Sequence, residues 1–296
     1  MTAAQIAAAL GGRREGREWR CPCPAHGGHS LLLADGRDGK LLARCFGGCE
    51  WADVFAGLRS LGLIGGGTAN VGVDPEERRS RKEAEARAET DRLTRGICAA
   101  RDLYRRARPA AATLVRVYLR SRGIFGPIPT VLRFLAHCPH RNGGHYPAML
   151  APIVNVDGHQ IAVHKTFLSP EGGKAVLPKG EQREIRGPMT GSAVRLERHG
   201  DDRELIVGEG IESTLSAMRL FHLPGWAALC APGVEALELP PEIRAVAIAA
   251  DNHANGAGQR AALSARERWL AEGRSARILL PPNPDEDFND LLLSVE

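Results

Sequence analysis

Four residues in a short N-terminal window have the types and spacing of a metal site. Within WRCPCPAHGGHSLLLADGRDGKLLARCFGGCEW, two residues separate Cys23 from His26 and three separate Cys45 from Cys49. Zinc takes four sulfur or imidazole ligands in a tetrahedron, and two close pairs brought together by a hairpin supply that geometry. The intervening LLLADGRDGKLLAR predicts the hairpin, as two short strands around a Gly-containing turn. Cys21 and His29 offer other spacings, C-x-C and a first knuckle with five intervening residues, and are read as bystanders.

A second set is acidic. ELIVG delivers Glu209 between two glycines at the mouth of a helix, IESTLSAMRL. The apolar run AVAIAA ends on Asp251, and NPDEDFNDLLL sets Asp287, Asn289 and Asp290 beyond the strand SARILLPP. A lone Asp at a strand end is most often a turn-former or a helix cap. Carboxylates at the ends of several strands can instead hold one hard divalent cation, Mg²⁺ or Mn²⁺ rather than zinc.

The elements that must position these residues follow from the pattern. From residue 203 the chain alternates strand and helix, which predicts a parallel sheet with crossover helices and its functional groups beyond the carboxyl ends of the strands. Upstream, WADVFAGLRSLGLI has helical spacing, GGGTANVGVD reads as a linker, and the charged stretch from EERRSRKEAEAR to YLRSRG predicts one or two solvent-facing helices. From about residue 125, VLRFLAH, YPAMLAPIVN, HQIAVHKTFLS and AVRLER alternate like strands of a small, largely β region. That region carries Arg133, His164, Lys165, Lys174, Lys179 and Arg186, each open to reading as ordinary surface charge. The expected fold class is α/β: a zinc-ribbon domain over 1–64, a linker and charged helix over 65–110, an α+β basic subdomain over 111–202, and a Rossmann-like parallel-sheet domain over 203–296.

Composition narrows the setting. Seven cysteines, four of them in one window, make a poor disulfide framework and point to a reducing, cytoplasmic compartment. The apolar runs fall short of a membrane span, and MTAAQIAAALGGRREG has no basic segment ahead of its apolar stretch, so neither a membrane partner nor a secretory signal is expected. A net charge of +4 permits a nucleic-acid partner without requiring one.

Taken together, the Glu in the VGEG turn, the Asp-x-Asp-like strand end followed by a glycine, and the final DFND resemble the Toprim domain of bacterial-type primases, topoisomerases and some nucleases, over residues 203–294. Preceded by CPAH…CFGGC and by YLRSRGI…LRF…YPAMLAPIVNVDGHQIAVHKTFLSP, the chain resembles a DnaG-like primase core of the kind carried by phages, plasmids and integrative elements. The resemblance implies synthesis of short RNA primers from ribonucleoside triphosphates on single-stranded DNA. It implies structural zinc at the ribbon, Glu209, Asp251 and Asp287 as catalytic residues around Mg²⁺ or Mn²⁺, and Arg133, Lys165 and Lys174 as holders of template or triphosphate. Where the family has Asp-x-Asp, this chain has Asp251-Asn252-His253, which puts an imidazole in the ligand set. DFND lies within a few residues of the end of the sequence, so a helicase or replication initiator is expected as a separate partner. Two other readings stay open: a non-catalytic single-stranded DNA-binding accessory protein with a degenerate Toprim site, and a Toprim nuclease or topoisomerase. Against the last, the sequence has no G-x4-GK-[ST] motif.

Overall fold

A computed structural model describes residues 1–36, 40–64, 75–198 and 204–295. Residues 1–82 and 83–296 form two compact units. The glycine-rich stretch at 65–74 and the centre of the predicted hairpin turn, 37–39, lie outside the described residues.

In the first unit, helix α1 (Ala3–Ala9) begins at a reciprocal cap in which Thr2 accepts from the Gln5 amide and the Gln5 side chain accepts from the Thr2 amide. An antiparallel sheet follows in the order β1 (Arg13–Glu15), β2 (Glu18–Cys21), β3 (Leu31–Asp35), β4 (Leu41–Cys45), and then helix α2 (Trp51–Ser60). The β3–β4 pair is the hairpin expected between the two ligand pairs; α1, β1 and β2 were not anticipated. Alternation along β3 buries Leu31 and Leu33 against Ile6, Val54 and Leu58. Only glycine fits at position 12, where a Cβ would come within 2.6 Å of Cys21 Cβ and 2.7 Å of the Arg20 carbonyl oxygen.

The second unit begins within the long helix α3 (Pro75–Arg105) and continues through β5 (Arg108–Pro109) and α4 (Leu114–Ser121). Strands β6 (Arg133–Pro139), β7 (His145–Val154), β8 (Gln160–Phe167) and β9 (Arg183–Arg186) complete an antiparallel sheet in sequence order β5 to β9. The chain then alternates: β10 (Val194–Arg195), β11 (Leu205–Gly208), α5 (Ile211–Phe221), β12 (Gly225–Ala227), α6 (Ala231–Ala236), β13 (Ala245–Ala249), α7 (Ala257–Ala271), β14 (Ser275–Leu279) and α8 (Phe288–Val295). These strands order as β10-β12-β11-β13-β14, parallel except for β10. All of Leu205–Gly208 is buried, as expected of a parallel strand covered on both faces.

One strand departs from expectation. AVRLER was read with the antiparallel region, yet β10 pairs with Gly225–Ala227 at the edge of the parallel sheet. The reason is the core: Val194 packs in a cluster that also takes Tyr118 and Leu119 from α4, Phe134 from β6, Met149 from β7, Ile211 and Leu215 from α5, and Leu292 from α8. The two sheets of this unit therefore share one apolar interior. Among the described residues, no helix is long and apolar enough to cross a membrane.

Candidate functional site

Donor atoms of Cys23, His26, Cys45 and Cys49 all lie within 4.8 Å of one another. The first pair is held by a tight turn in which Cys23 N donates to the Gly28 carbonyl at 2.8 Å and Gly27 N donates to the Cys23 carbonyl at 2.7 Å. The second follows β4, where Gly47 N donates to Cys45 Sγ at 3.3 Å and His26 Nε2 lies 3.3 Å from the same sulfur. Glycines leave room for the imidazole: a Cβ at Gly47 would fall 2.5 Å from His26 Nε2, and one at Gly28 2.7 Å from its Cε1. Burial resists ionisation of Cys45, but the Ser30 hydroxyl, the Cys49 and Gly47 amides and the His26 ring outweigh it and hold the thiol well below its usual range. Cys49 moves the other way, through burial and the neighbouring sulfurs. Three cysteine sulfurs and an imidazole are a donor set that fits Zn²⁺. Cys21 faces the core of the unit, its thiol pushed up to about 11 by burial and by Cys23, and His29 is exposed.

The acidic residues emerge where the parallel strands end. Glu209 lies between β11 and α5, Asp251 follows β13, and Asp287 precedes α8. Burial and the Asp251 charge raise Glu209 to about 7, with His253 opposing. Burial and Asp287 likewise raise Asp251, against a hydrogen bond from Ser213 and the field of His253. Carboxylates that hinder one another's ionisation mark a site short of positive charge, and an all-oxygen donor set of this kind fits Mg²⁺ or Mn²⁺. Among the described residues these acids do not form a second cluster as tight as that of Cys23, His26, Cys45 and Cys49.

Local bonds fix their positions. Ser213 Oγ donates to Asp251 Oδ1 at 3.2 Å and accepts from Phe288 N at 3.3 Å, joining α5 to both neighbouring acidic turns. Asp287 Oδ1 accepts from the amides of Asn289 at 2.7 Å and Asp290 at 2.9 Å, so this carboxylate also caps α8. Asn252 Nδ2 donates to the Pro281 and Asn283 carbonyls, each at 3.0 Å, and its backbone exchanges bonds with Asp285 and Glu286, clasping the Asp251 turn to the Asp287 turn. Glycine at 258, in the first turn of α7, leaves room for the Glu209 carboxylate, since a Cβ there would come within 2.6 Å of Glu209 Oε1. His253 is exposed, and its carbonyl accepts from Gly256 N at 2.9 Å.

The cations read from the sequence separate in space. Arg133 stacks over the Tyr104 ring at 4.5 Å. Lys165 is buried, its ammonium bonded to Glu184 and, at 2.9 Å, to the Pro139 carbonyl, so its charge is answered inside the antiparallel sheet. Lys174 alone of the three feels the acidic region, through Glu212 and Asp287. Glu212 itself was missed. It is 4% exposed, accepts from the Tyr118 hydroxyl on one oxygen and from Arg183 Nη2 at 3.1 Å on the other. Burial opposes its ionisation, but Arg183, Lys174 and Tyr118 prevail and hold it at about 2. Its place three residues after Glu209, in GEGIE, was the available signal. Among the described residues, a cavity of about 920 Å³ is lined by Phe125, Ile128, Met218 and Trp226, and another of about 370 Å³ by Arg106, Arg141 and Lys165; none of the three carboxylates lines either.

Comparison with known proteins accords with this geometry. Residues 94–196 match the family described as "Domain of unknown function (DUF7146)", and residues 204–295 match the Toprim domain. No curated protein matches the sequence. Among solved structures, the chain is similar to the primase fragment of the bacteriophage T7 primase-helicase protein, at 15% identity and a TM-score of 0.40 over 60% of this chain and 65% of that one. It is similar to a DNA primase domain from Pseudomonas aeruginosa at 18% identity and a TM-score of 0.36, spanning 54% of this chain and about half, 52%, of that one. For the zinc-binding and RNA polymerase domains of the Aquifex aeolicus primase the values are 15% identity and 0.40, over 98% of this chain and 80% of that one. The carboxylates of Glu209, Asp251 and Asp287, set beyond a parallel sheet, thus lie within a segment, residues 204–295, that matches the Toprim domain, and a Cys/His metal-binding group stands in the preceding unit.

Proposed function

We propose that the protein is a DNA primase that joins ribonucleoside triphosphates into short RNA primers on single-stranded DNA. The observation that carries this reading is the placement of three acids beyond the ends of neighbouring parallel strands, Glu209 after β11, Asp251 after β13 and Asp287 before α8, where burial and then Asp251 raise Glu209, and burial and then Asp287 raise Asp251. Nucleotidyl transfer is an in-line displacement at an α-phosphate, and bound divalent metal supplies the charge that lowers the pKa of the attacking hydroxyl and stabilises the leaving pyrophosphate. Glu209, Asp251 and Asp287 would hold that metal, Ser213 and Asn252 would fix the last two, and Lys174 would meet the triphosphate. The ribbon group would hold one structural zinc. A replicative helicase or an initiator would bring the protein to its template.

The test is a gel assay with single-stranded template, labelled ribonucleotides and either Mg²⁺ or Mn²⁺. Wild type should make short products, and Glu209→Gln and Asp251→Asn, which keep shape and remove charge, should abolish them while the protein stays folded. Synthesis at the wild-type rate by both variants would place the active site elsewhere. A second reading, a DNA-binding accessory protein, is favoured by His253, which stands where the resembled family has its second Asp. Retention of single-stranded DNA with a steep salt dependence and no synthesis by wild type would establish it.

A further inference from the structure

Asn289 is fully buried, yet its side-chain amide serves neither the apolar core nor the cap of the helix in which it lies. The cap is complete without it: Asp287 Oδ1 accepts from the Asn289 and Asp290 main-chain amides, and Asp290 Oδ2 accepts from the Asp287 amide at 3.1 Å. The Asn289 side chain reaches out of α8 to two other helices. Its Nδ2 donates at 2.5 Å to the carbonyl of Arg122, the residue that ends α4, and at 3.0 Å to Ser216 Oγ on α5, while its Oδ1 has no partner among the described residues. Ser216 passes the bond on to the Glu212 carbonyl at 3.0 Å and shares a face of α5 with Ser213, which holds Phe288 N. Both residues that follow Asp287 are therefore held by α5, and one of them also by α4. A buried amide with an orphan oxygen is a poor device for stability, since a leucine in its place would fill the space at no polar cost. Directed bonds do what apolar contact does not: they fix the rotation of α8 about its axis, and with it the carboxylate at its start.

We infer that Asn289 is a positioning residue that sets Asp287 for the divalent metal by tying the first turn of α8 to α4 and α5. The inference rests on the reading of Asp287 as a metal ligand and deepens it. Asn289 is no ligand itself: its side chain is spent on Arg122 and Ser216, and its main-chain amide meets Asp287 at 2.7 Å. Two amides already fill Asp287 Oδ1, so Oδ2 is the oxygen left for the ion. A carboxylate with one oxygen committed offers a metal one direction, and a small turn of α8 would swing it away. Arg122 ends a helix that precedes the antiparallel strands, so the antiparallel half of the unit sets one ligand of a site built on the parallel sheet.

The experiment is binding of Mn²⁺ to the zinc-loaded full chain, read from the loss of the free ion's electron paramagnetic resonance signal, with thermal unfolding followed on the same samples. Asn289→Ala should weaken Mn²⁺ about tenfold or more, as removal of a group that orients a metal ligand does, and Ser216→Ala should weaken it less, since the bond to Arg122 stays. Asp287→Asn should also weaken it, and Asp287→Asn combined with Asn289→Ala no further, because a residue that acts through Asp287 has nothing left to contribute once that carboxylate is gone. Losses that multiply in the double variant, or an unchanged affinity in Asn289→Ala, would overturn the assignment. Two variants separate positioning from packing. Asn289→Leu fills the space but cannot donate, so it should lose affinity as Asn289→Ala does, and it stands in should Asn289→Ala fail to fold; wild-type affinity in Asn289→Leu would sink the role of the bonds. Leu292→Ala removes core packing from the same helix and none of these bonds, so it should lower the melting temperature with Mn²⁺ affinity within about twofold of wild type. A loss there as large as that of Asn289→Ala would make the effect one of helix stability. Wild type that binds no Mn²⁺ would remove the metal reading of Asp287 and this inference together. Binding that is weakened by Asp287→Asn but not by Asn289→Ala would remove this one alone.

Discussion

At position 258 the absence of a side chain sets where a carboxylate stands. Ala is the better helix former by about 1 kcal/mol, so Gly258→Ala should leave the melting temperature nearly unchanged or slightly raised. It should also push Glu209 aside, lowering nucleotide incorporation about tenfold or more, as a misplaced catalytic group does. Thermal unfolding and the gel assay, run on the same preparation, check both halves. His253 makes a second test: imidazole suits Mn²⁺ better than Mg²⁺, so His253→Asp should shift activity toward Mg²⁺, and an unchanged metal preference would place the ring outside the metal's reach. Glu209 and Asp251 could be read as candidates because each closes an apolar run, which sequence shows best, and Asp287 because DFND follows the strand SARILLPP. Glu212, Arg183 and Gly258 could not: a polar residue in a helix turn, an arginine in a charged loop and one glycine among several look alike until the chain is folded. Lys165 shows the converse, a cation that reads as surface charge and is buried against Glu184.

Among the elements, the ribbon depends most on something other than its own packing. Its core is a few residues from α1, three strands and α2, less than a unit of this size needs to fold alone. Removing zinc with a chelator should unfold the first unit and leave the helices and sheets of the second in place, and Cys49→Ser should act in the same way. Proteolysis followed by mass spectrometry, with and without chelator, checks this: new cleavages should fall within the first unit. Gly12→Ala should destabilise the same unit with zinc present, by about 1–3 kcal/mol as overpacking usually costs, because its methyl would collide with β2. The hairpin of β3 and β4 could be read from its alternating leucines. By contrast RRE and EWRC are too short and too charged to show alternation, and their pairing is set by β3 rather than by themselves.

Across the whole molecule, pH acts through the junction of the two sheets in the second unit. Burial holds His164 down to about 4, and Nδ1 has no partner among the described residues. The unfolded chain binds that proton near its ordinary value of about 6.5, so stability is full above that pH and declines as pH falls toward 4. Glu212, held at about 2, contributes above the ordinary carboxylate range and is lost as pH falls below it. Each effect is on the order of 3 kcal/mol at most, and both have the same sign. Glu209, raised to about 7 by burial and Asp251, acts oppositely and gains stability as pH falls from 7 toward 5, so the drop in denaturant midpoint over that window should show in Glu209→Gln, where adding His164→Gln should flatten it while the decline below pH 4.5 persists.

The edge strand β10 belongs by sequence to the segment at 94–196, and it hydrogen-bonds into the sheet of the segment at 204–295. Heredity is constrained by that seam. A recombination event that exchanged one segment for a distant homologue at the boundary between them would hand β12 a strange neighbour, and would place Tyr118 and Leu119 against a foreign α5. Such a chimera should fold less stably than either parent. The two segments are therefore expected to be inherited together, with correlated substitutions along this seam across descendants.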